Sequence, residues 1–152
     1  MKNRGFEIAK GFEDKNVNLP ERKTKYSAGY DIEAIEDTVI PPFKIGMKPT
    51  LVKTGLKVYM ENDEFLMLVN RSSNPGKKGL VLANSVGIID ADYYNNKDND
   101  GHFMYAYYNY FNEEITIKKG EVIGQAIFMK YLTIDNDNAT NERIGGFGST
   151  SK

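Results

Sequence analysis

The chain has 152 residues, with 20 basic and 21 acidic side chains and 40% hydrophobic ones. That is the size of one domain able to bury a core, without the strongly basic footprint of a nucleic-acid binder. It has no cysteine and a single histidine, His102, which excludes a disulfide framework, thiolate or histidine-cluster metal sites, and any Ser-His triad not built on His102.

The first residues, MKNRGFEIAKGFEDK, lack the apolar core of a signal peptide, and no apolar run approaches the ~20 residues that span a bilayer. The expectation is a soluble, cytoplasmic protein. Along the chain, short runs of β-branched and aromatic residues are broken by Pro, Gly, Asn and Asp, which predicts an all-β fold of the sandwich or jelly-roll kind. SAGYDIEA bends at Gly29 into a strand, and Asp31 is placed either to serve a hydrated cation or to cap a turn. DTVIPPFKIGMKPTLVKTGLKVYM reads as several short strands, with Pro41 and Pro42 arguing against helix. EFLMLVN is apolar throughout and reads as a buried strand. RSSNPGKKG follows it, and is either an ordinary turn or a phosphate-binding segment in which Arg71 offers a rigid donor fork beside the hydroxyls of Ser72 and Ser73.

GLVLANSVGIID reads as a strand entering a hairpin. Asn84 carries both a donor and an acceptor, as reading a base edge requires. Asp90 and Asp92, on either side of Ala91, are read as facing opposite ways, leaving one carboxylate to act as a base in a cleft. Tyr93 packs either on a sugar or on the core. GHFMYAYYNYF places aromatics on both faces, as in a strand buried on both sides or at a subunit contact. Tyr105, Tyr107, Tyr108 and Tyr110 are assigned to core and contact, and His102 to a strand rather than to catalysis. EEITIKKGEVIGQAIFMKYL gives two strands around a turn at Lys118 to Glu121. Lys77, Lys78, Lys118 and Lys119 read as solvated turns. The polar TIDNDNATNE is a linker, so the chain divides into a core over 1–132 and a linker with a glycine-rich arm over 133–152. In the arm, GGFGST lacks the Lys-Ser/Thr order of a P-loop. Its glycines nonetheless let backbone close over a ligand, and Phe147 can stack on a flat base.

Taken in order, AGYDIEA, RSS after an apolar strand, NSVGIIDADY, GEVIGQ and the terminal GGFGST resemble the five motifs of the homotrimeric dUTPases, over about residues 28 to 150. The resemblance implies a jelly-roll-like, β-clip-like subunit in a threefold trimer. Sites would lie between subunits, with the C-terminal arm reaching over a neighbour. It implies that Asp90 activates the water, that Arg71, Ser72, Ser73 and Gln125 bind phosphate, and that Asn84 with the backbone of Gly87, Ile88 and Ile89 reads uracil. Met104 would line that pocket, and Tyr93 would pack on deoxyribose and reject a 2′-hydroxyl. Phe147 would stack on the base, Gly148, Ser149 and Thr150 would touch phosphate, and Arg143 would reach the γ-phosphate. Mg²⁺ would ride on the substrate triphosphate without a direct protein ligand, its waters near Asp31.

The chain departs from the family pattern in several places. Ser73 stands where a glycine is expected, and Val122 where an arginine is usual. NNKDND, at 95–100, reads as a polar, solvated insertion and a possible surface for a protein partner. Arg143 lies four residues before Phe147, one closer than usual. Rival readings are a dCTP deaminase on the same fold, for which no general acid/base carboxylate stands out, a nucleotide-binding regulatory trimer acting through a protein, and a carbohydrate-binding jelly roll, which only the fold class supports.

Overall fold

β-branched and aromatic residues in short runs form antiparallel strands throughout the computed structural model, which describes residues 1–146. In chain order these are β1 (Gly5–Ile8), β2 (Tyr30–Glu33), β3 (Thr38–Ile40), β4 (Thr50–Lys53), β5 (Leu56–Tyr59), β6 (Glu64–Asn70), β7 (Leu80–Leu82), β8 (Gly87–Asp90), β9 (Met104–Asn109), β10 (Ile115–Ile117) and β11 (Val122–Lys130). A four-stranded sheet runs β2-β11-β6-β8 and a three-stranded sheet β4-β9-β7. The pairs β1-β5 and β3-β10 complete the fold, so the all-β expectation holds.

The core lies between the two larger sheets. In β6 only alternate residues are buried, Leu66 and Leu68 facing inward while Phe65 and Met67 stay half-buried; the apolar run is therefore not buried on both faces as its composition predicts. In β9 Tyr105 and Tyr107 point inward and are fully buried. Their hydroxyls donate to the carbonyls of Gln125 at 2.6 Å and Ile123 at 2.5 Å, which removes the penalty of a buried unpaired hydroxyl. Tyr108 is half-buried against Phe43, and Tyr110 is exposed.

Four local expectations are corrected. β7 and β8 do not form a hairpin: β7 pairs with β9 and β8 with β6. The link between them turns at Ser85 (φ 60°) and carries the chain from one sheet to the other. RSSNPGKKG is not only a turn, since a short helix, α1 (Asn74–Lys78), starts with Pro75 in its first turn and ends at Gly79 in the left-handed conformation. Lys78 lies in it and pairs with Glu121 instead of being free in solvent. His102 precedes β9 rather than lying in it, its Nε2 accepting from the Gly55 amide at 3.0 Å. Burial pushes its pKa down to about 4, with Lys53 adding to the effect; the ring is neutral and structural.

Candidate active site

A cavity of about 240 Å³ opens where the edge strand β8 faces β4 and β9. Its apolar wall is formed by Leu51, Leu68, Leu82, Phe103, Tyr105 and Ala106. Its polar side is Asn84, the backbone of Gly87 to Ile89, Asp90, Tyr93 and Arg143, with Met104 beside them. Among the described strands β8 pairs with β6 alone, so one edge of its backbone is left to read a flat, polar ligand. Eight sequence candidates therefore meet in one cavity: Asn84, Gly87, Ile88, Ile89, Asp90, Tyr93, Met104 and Arg143.

The two carboxylates do not face opposite ways as expected: residues two apart share a face even in an extended chain. β8 ends at Asp90, and Ala91 to Tyr93 form a 3₁₀ turn, which brings Asp90 and Asp92 to the same guanidinium. Arg143 Nη2 donates to Asp90 Oδ2 at 2.7 Å, and its Nε donates to Asp92 Oδ1 at 2.8 Å. The arginine side chain is only 10% exposed, while both carboxylates are more than half exposed. Its guanidinium also lies 5.6 Å from the centre of the Tyr93 ring, within cation–π range. Residue 143 thus sits at the Asp90 and Asp92 carboxylates of its own chain.

The remaining candidates form a second set. Arg71, Ser72 and Ser73 run from the end of β6 into α1, and none of them lines the cavity. Asn74, which the sequence reading passed over, fixes this segment: its buried amide donates to Asn70 Oδ1 and to the Ile123 carbonyl, both at 2.9 Å. Ser73 has φ −82° and ψ −14°, ordinary for an L-residue; this is why a Cβ is tolerated where the family pattern has glycine. Gln125 pairs in register with Asp31 on one side and Val69 on the other. A Cβ on Gly29 would strike the Gln125 side chain, so the glycine of AGYD makes room for that glutamine. Asp31 is partly buried, 3.9 Å from Lys23 Nζ.

Residues 95–100 are only in part the solvated loop expected from their composition. Asn96 is buried, its Oδ1 accepting from the amides of Asp98 and Asn99. Asp100 pairs with Lys57 at 2.9 Å and accepts from the Lys10 amide at 2.9 Å. Asp98 accepts from the Gly146 amide at 2.7 Å, holding the last described part of the arm. Asn96, Asn99 and Asp100 turn inward because each has partners there, while Asn95, Lys97 and Asp98 stay exposed. Phe147, Gly148, Ser149 and Thr150 lie outside the described residues. Among the described residues no group of three His, Asp or Glu side chains is placed to hold a metal, and no helix is long and apolar enough to cross a membrane.

Comparison with known proteins follows the same residues. The family model described as dUTPase matches residues 15–151. The chain is 51% identical over 152 residues to the deoxyuridine 5′-triphosphate nucleotidohydrolase of Lactococcus lactis subsp. lactis, covering 99% of each chain. It is 33% identical to that of Escherichia coli O9:H4 over 91% of this chain and 90% of the relative. Its fold matches a dUTPase structure from Streptococcus mutans with a TM-score of 0.80 at 45% identity, over 87% of this chain and 99% of that one. A more distant fold match, at 19% identity and a TM-score of 0.71 over 92% and 98% of the chains, is a dUTPase from phage phi11 of S. aureus described with a structural Mg(II) ion.

Proposed function

We propose, since the chain belongs to the dUTPase family, that it hydrolyses dUTP to dUMP and pyrophosphate, keeping uracil out of DNA and supplying dUMP for thymidylate synthesis. The observation that carries this is the cavity beside the open edge of β8, with Asp90 at its rim and Tyr93 on its wall. Uracil presents an acceptor at the position where cytosine presents a donor. A backbone edge that pairs with uracil therefore leaves buried groups unpaired with cytosine. The β4 and β9 side chains close the pocket against a 5-methyl group.

Asp90 takes a proton from water as the water attacks the α-phosphorus. The new P–O bond forms in line with the bond to the β-phosphate, whose bridging oxygen leaves with pyrophosphate. The base must give up its bond to Arg143 for this, and the arginine's fork is then free for a phosphate oxygen. Arg71, Ser72, Ser73 and Gln125 bind the phosphates. They lie outside this chain's own cavity, which is what supports a homotrimer in which a neighbour supplies them. The arm brings Phe147 over the base and Gly148, Ser149 and Thr150 to the phosphates. Mg²⁺ would neutralise triphosphate charge while keeping most of its waters, for which Asp31 offers a hard oxygen acceptor. The setting of the reaction is the cytoplasm.

Hydrolysis in ¹⁸O-labelled water tests the attack. Label in dUMP is the expected result. Label in pyrophosphate would place the attack on the β-phosphorus and remove Asp90 from its assigned role.

A further inference from the structure

Tyr93 owes its orientation to the loop that follows it. Asn99 Nδ2 donates to the Tyr93 hydroxyl at 2.7 Å and to the His102 carbonyl at 3.2 Å. Its Oδ1 accepts from Asn96 Nδ2 at 2.8 Å and from the Gly101 amide at 3.1 Å. The Gly101 amide is a donor only, which settles which end of the Asn99 amide faces the tyrosine. All four hydrogen-bonding positions of this side chain are used, so it has one orientation available.

The loop is fixed in turn. Asn96 Nδ2 donates to the Tyr93 carbonyl at 2.8 Å. Asn95, Asp100 and Gly101 take left-handed φ values of 58°, 63° and 89°. Asp100 ties the loop to Lys57 of β5 and to the Lys10 amide. Tyr93 itself is 8% exposed and shows its ring to the cavity.

We propose that Asn99 is a positioning residue for sugar selection: it locks the Tyr93 ring so that the pocket admits a 2′-deoxyribose and excludes a ribose, which rests on the placement of Tyr93 against the sugar. Exclusion of a single hydroxyl is a steric test, and a wall that can swing fails it. Without the Asn99 donor the tyrosine hydroxyl keeps only its 3.4 Å contact to the His102 carbonyl, too long to hold the ring. The 95–100 segment then has a task inside the enzyme, at the site's selectivity.

The test compares kcat/KM for dUTP and UTP in the full-length enzyme, in Asn99→Ala, in Tyr93→Phe and in the double variant. Both single variants are expected to lower the dUTP/UTP ratio by roughly threefold to tenfold, through better use of UTP more than through slower turnover of dUTP. The double variant is expected to be no worse than Asn99→Ala alone, because the hydrogen bond that Tyr93→Phe removes is already lost with Asn99. An unchanged ratio in folded Asn99→Ala overturns the proposal. If that variant does not fold, Tyr93→Phe decides, since it removes the hydroxyl and leaves the loop intact; an unchanged ratio there is equally fatal. A wild-type enzyme that uses UTP as well as dUTP would instead defeat the placement of Tyr93 against the sugar, a distinguishable failure.

Discussion

Asp90 ends β8 with a half-exposed carboxylate whose only side-chain partner among the described residues is Arg143. Asp90→Asn keeps the shape and removes the base. Turnover is expected to fall by roughly 10²–10⁴-fold while dUTP affinity stays within a few-fold; normal turnover in single-turnover kinetics would rule Asp90 out as base. His102 gives a pH prediction of a different kind. The unfolded chain's imidazole gains its proton below the ordinary value of 6.5, whereas the folded one stays neutral down to about 4. Between those values the unfolded state binds more protons, so stability is full above pH 6.5 and falls as pH drops, by up to roughly 1.4 kcal/mol per pH unit from this residue. Urea unfolding from pH 4.5 to 7.5 should show a shallower slope for His102→Gln than for wild type, and equal slopes would mean that the ring is not buried neutral. At this scale the sequence showed which residue types carry chemistry but not how they face one another. The reading of Asp90 and Asp92 on opposite faces fails on the strand's own period of two, which puts residues two apart on one face, and Arg143 bridges both. Asn74 and Asn99 passed unnoticed because nothing local marks an asparagine whose partners lie elsewhere.

The elements explain the rest of that gap. Alternation and turn chemistry were enough to locate the strands of β6, β9, β10 and β11. Pairing was not legible, because β7 and β8 lie close in sequence yet join different sheets. The helix α1 is five residues long, too short for its period to rise above the turn signal of Asn-Pro-Gly. The contact between β2 and β11 carries its own prediction. Gly29→Ala would push a methyl into the Gln125 side chain, whose Cβ would lie 3.0 Å away. A loss of about 1–3 kcal/mol in urea unfolding is expected, and an unchanged midpoint would show that Gln125 can move aside freely. The arm is the other element at stake. Removing residues 143–152 deletes Arg143 from the carboxylates and, under the proposed function, the Phe147 ring meant for the base. Turnover is expected to fall by roughly 10²-fold with the fold intact by circular dichroism, and a fully active truncation would leave the arm without a catalytic task.

At the scale of the whole molecule, the candidate residues divide between two places. Base, sugar and carboxylate groups meet in one cavity, while Arg71, Ser72, Ser73 and Gln125 lie outside its lining. Large apolar side chains remain exposed at Val39, Ile45, Tyr110 and Phe111. The proposed trimer would join the two halves of the site. Sedimentation should give three times the mass of the 152-residue chain, and an active monomer would require one chain to hold the whole site. The central claim, hydrolysis of dUTP selected by base and by sugar, is tested most directly by pyrophosphate release with Mg²⁺ from dUTP, dCTP, dTTP and UTP in parallel. Release from dUTP alone is the predicted result. Absence of release from dUTP, or release from dCTP at a similar rate, would contradict it.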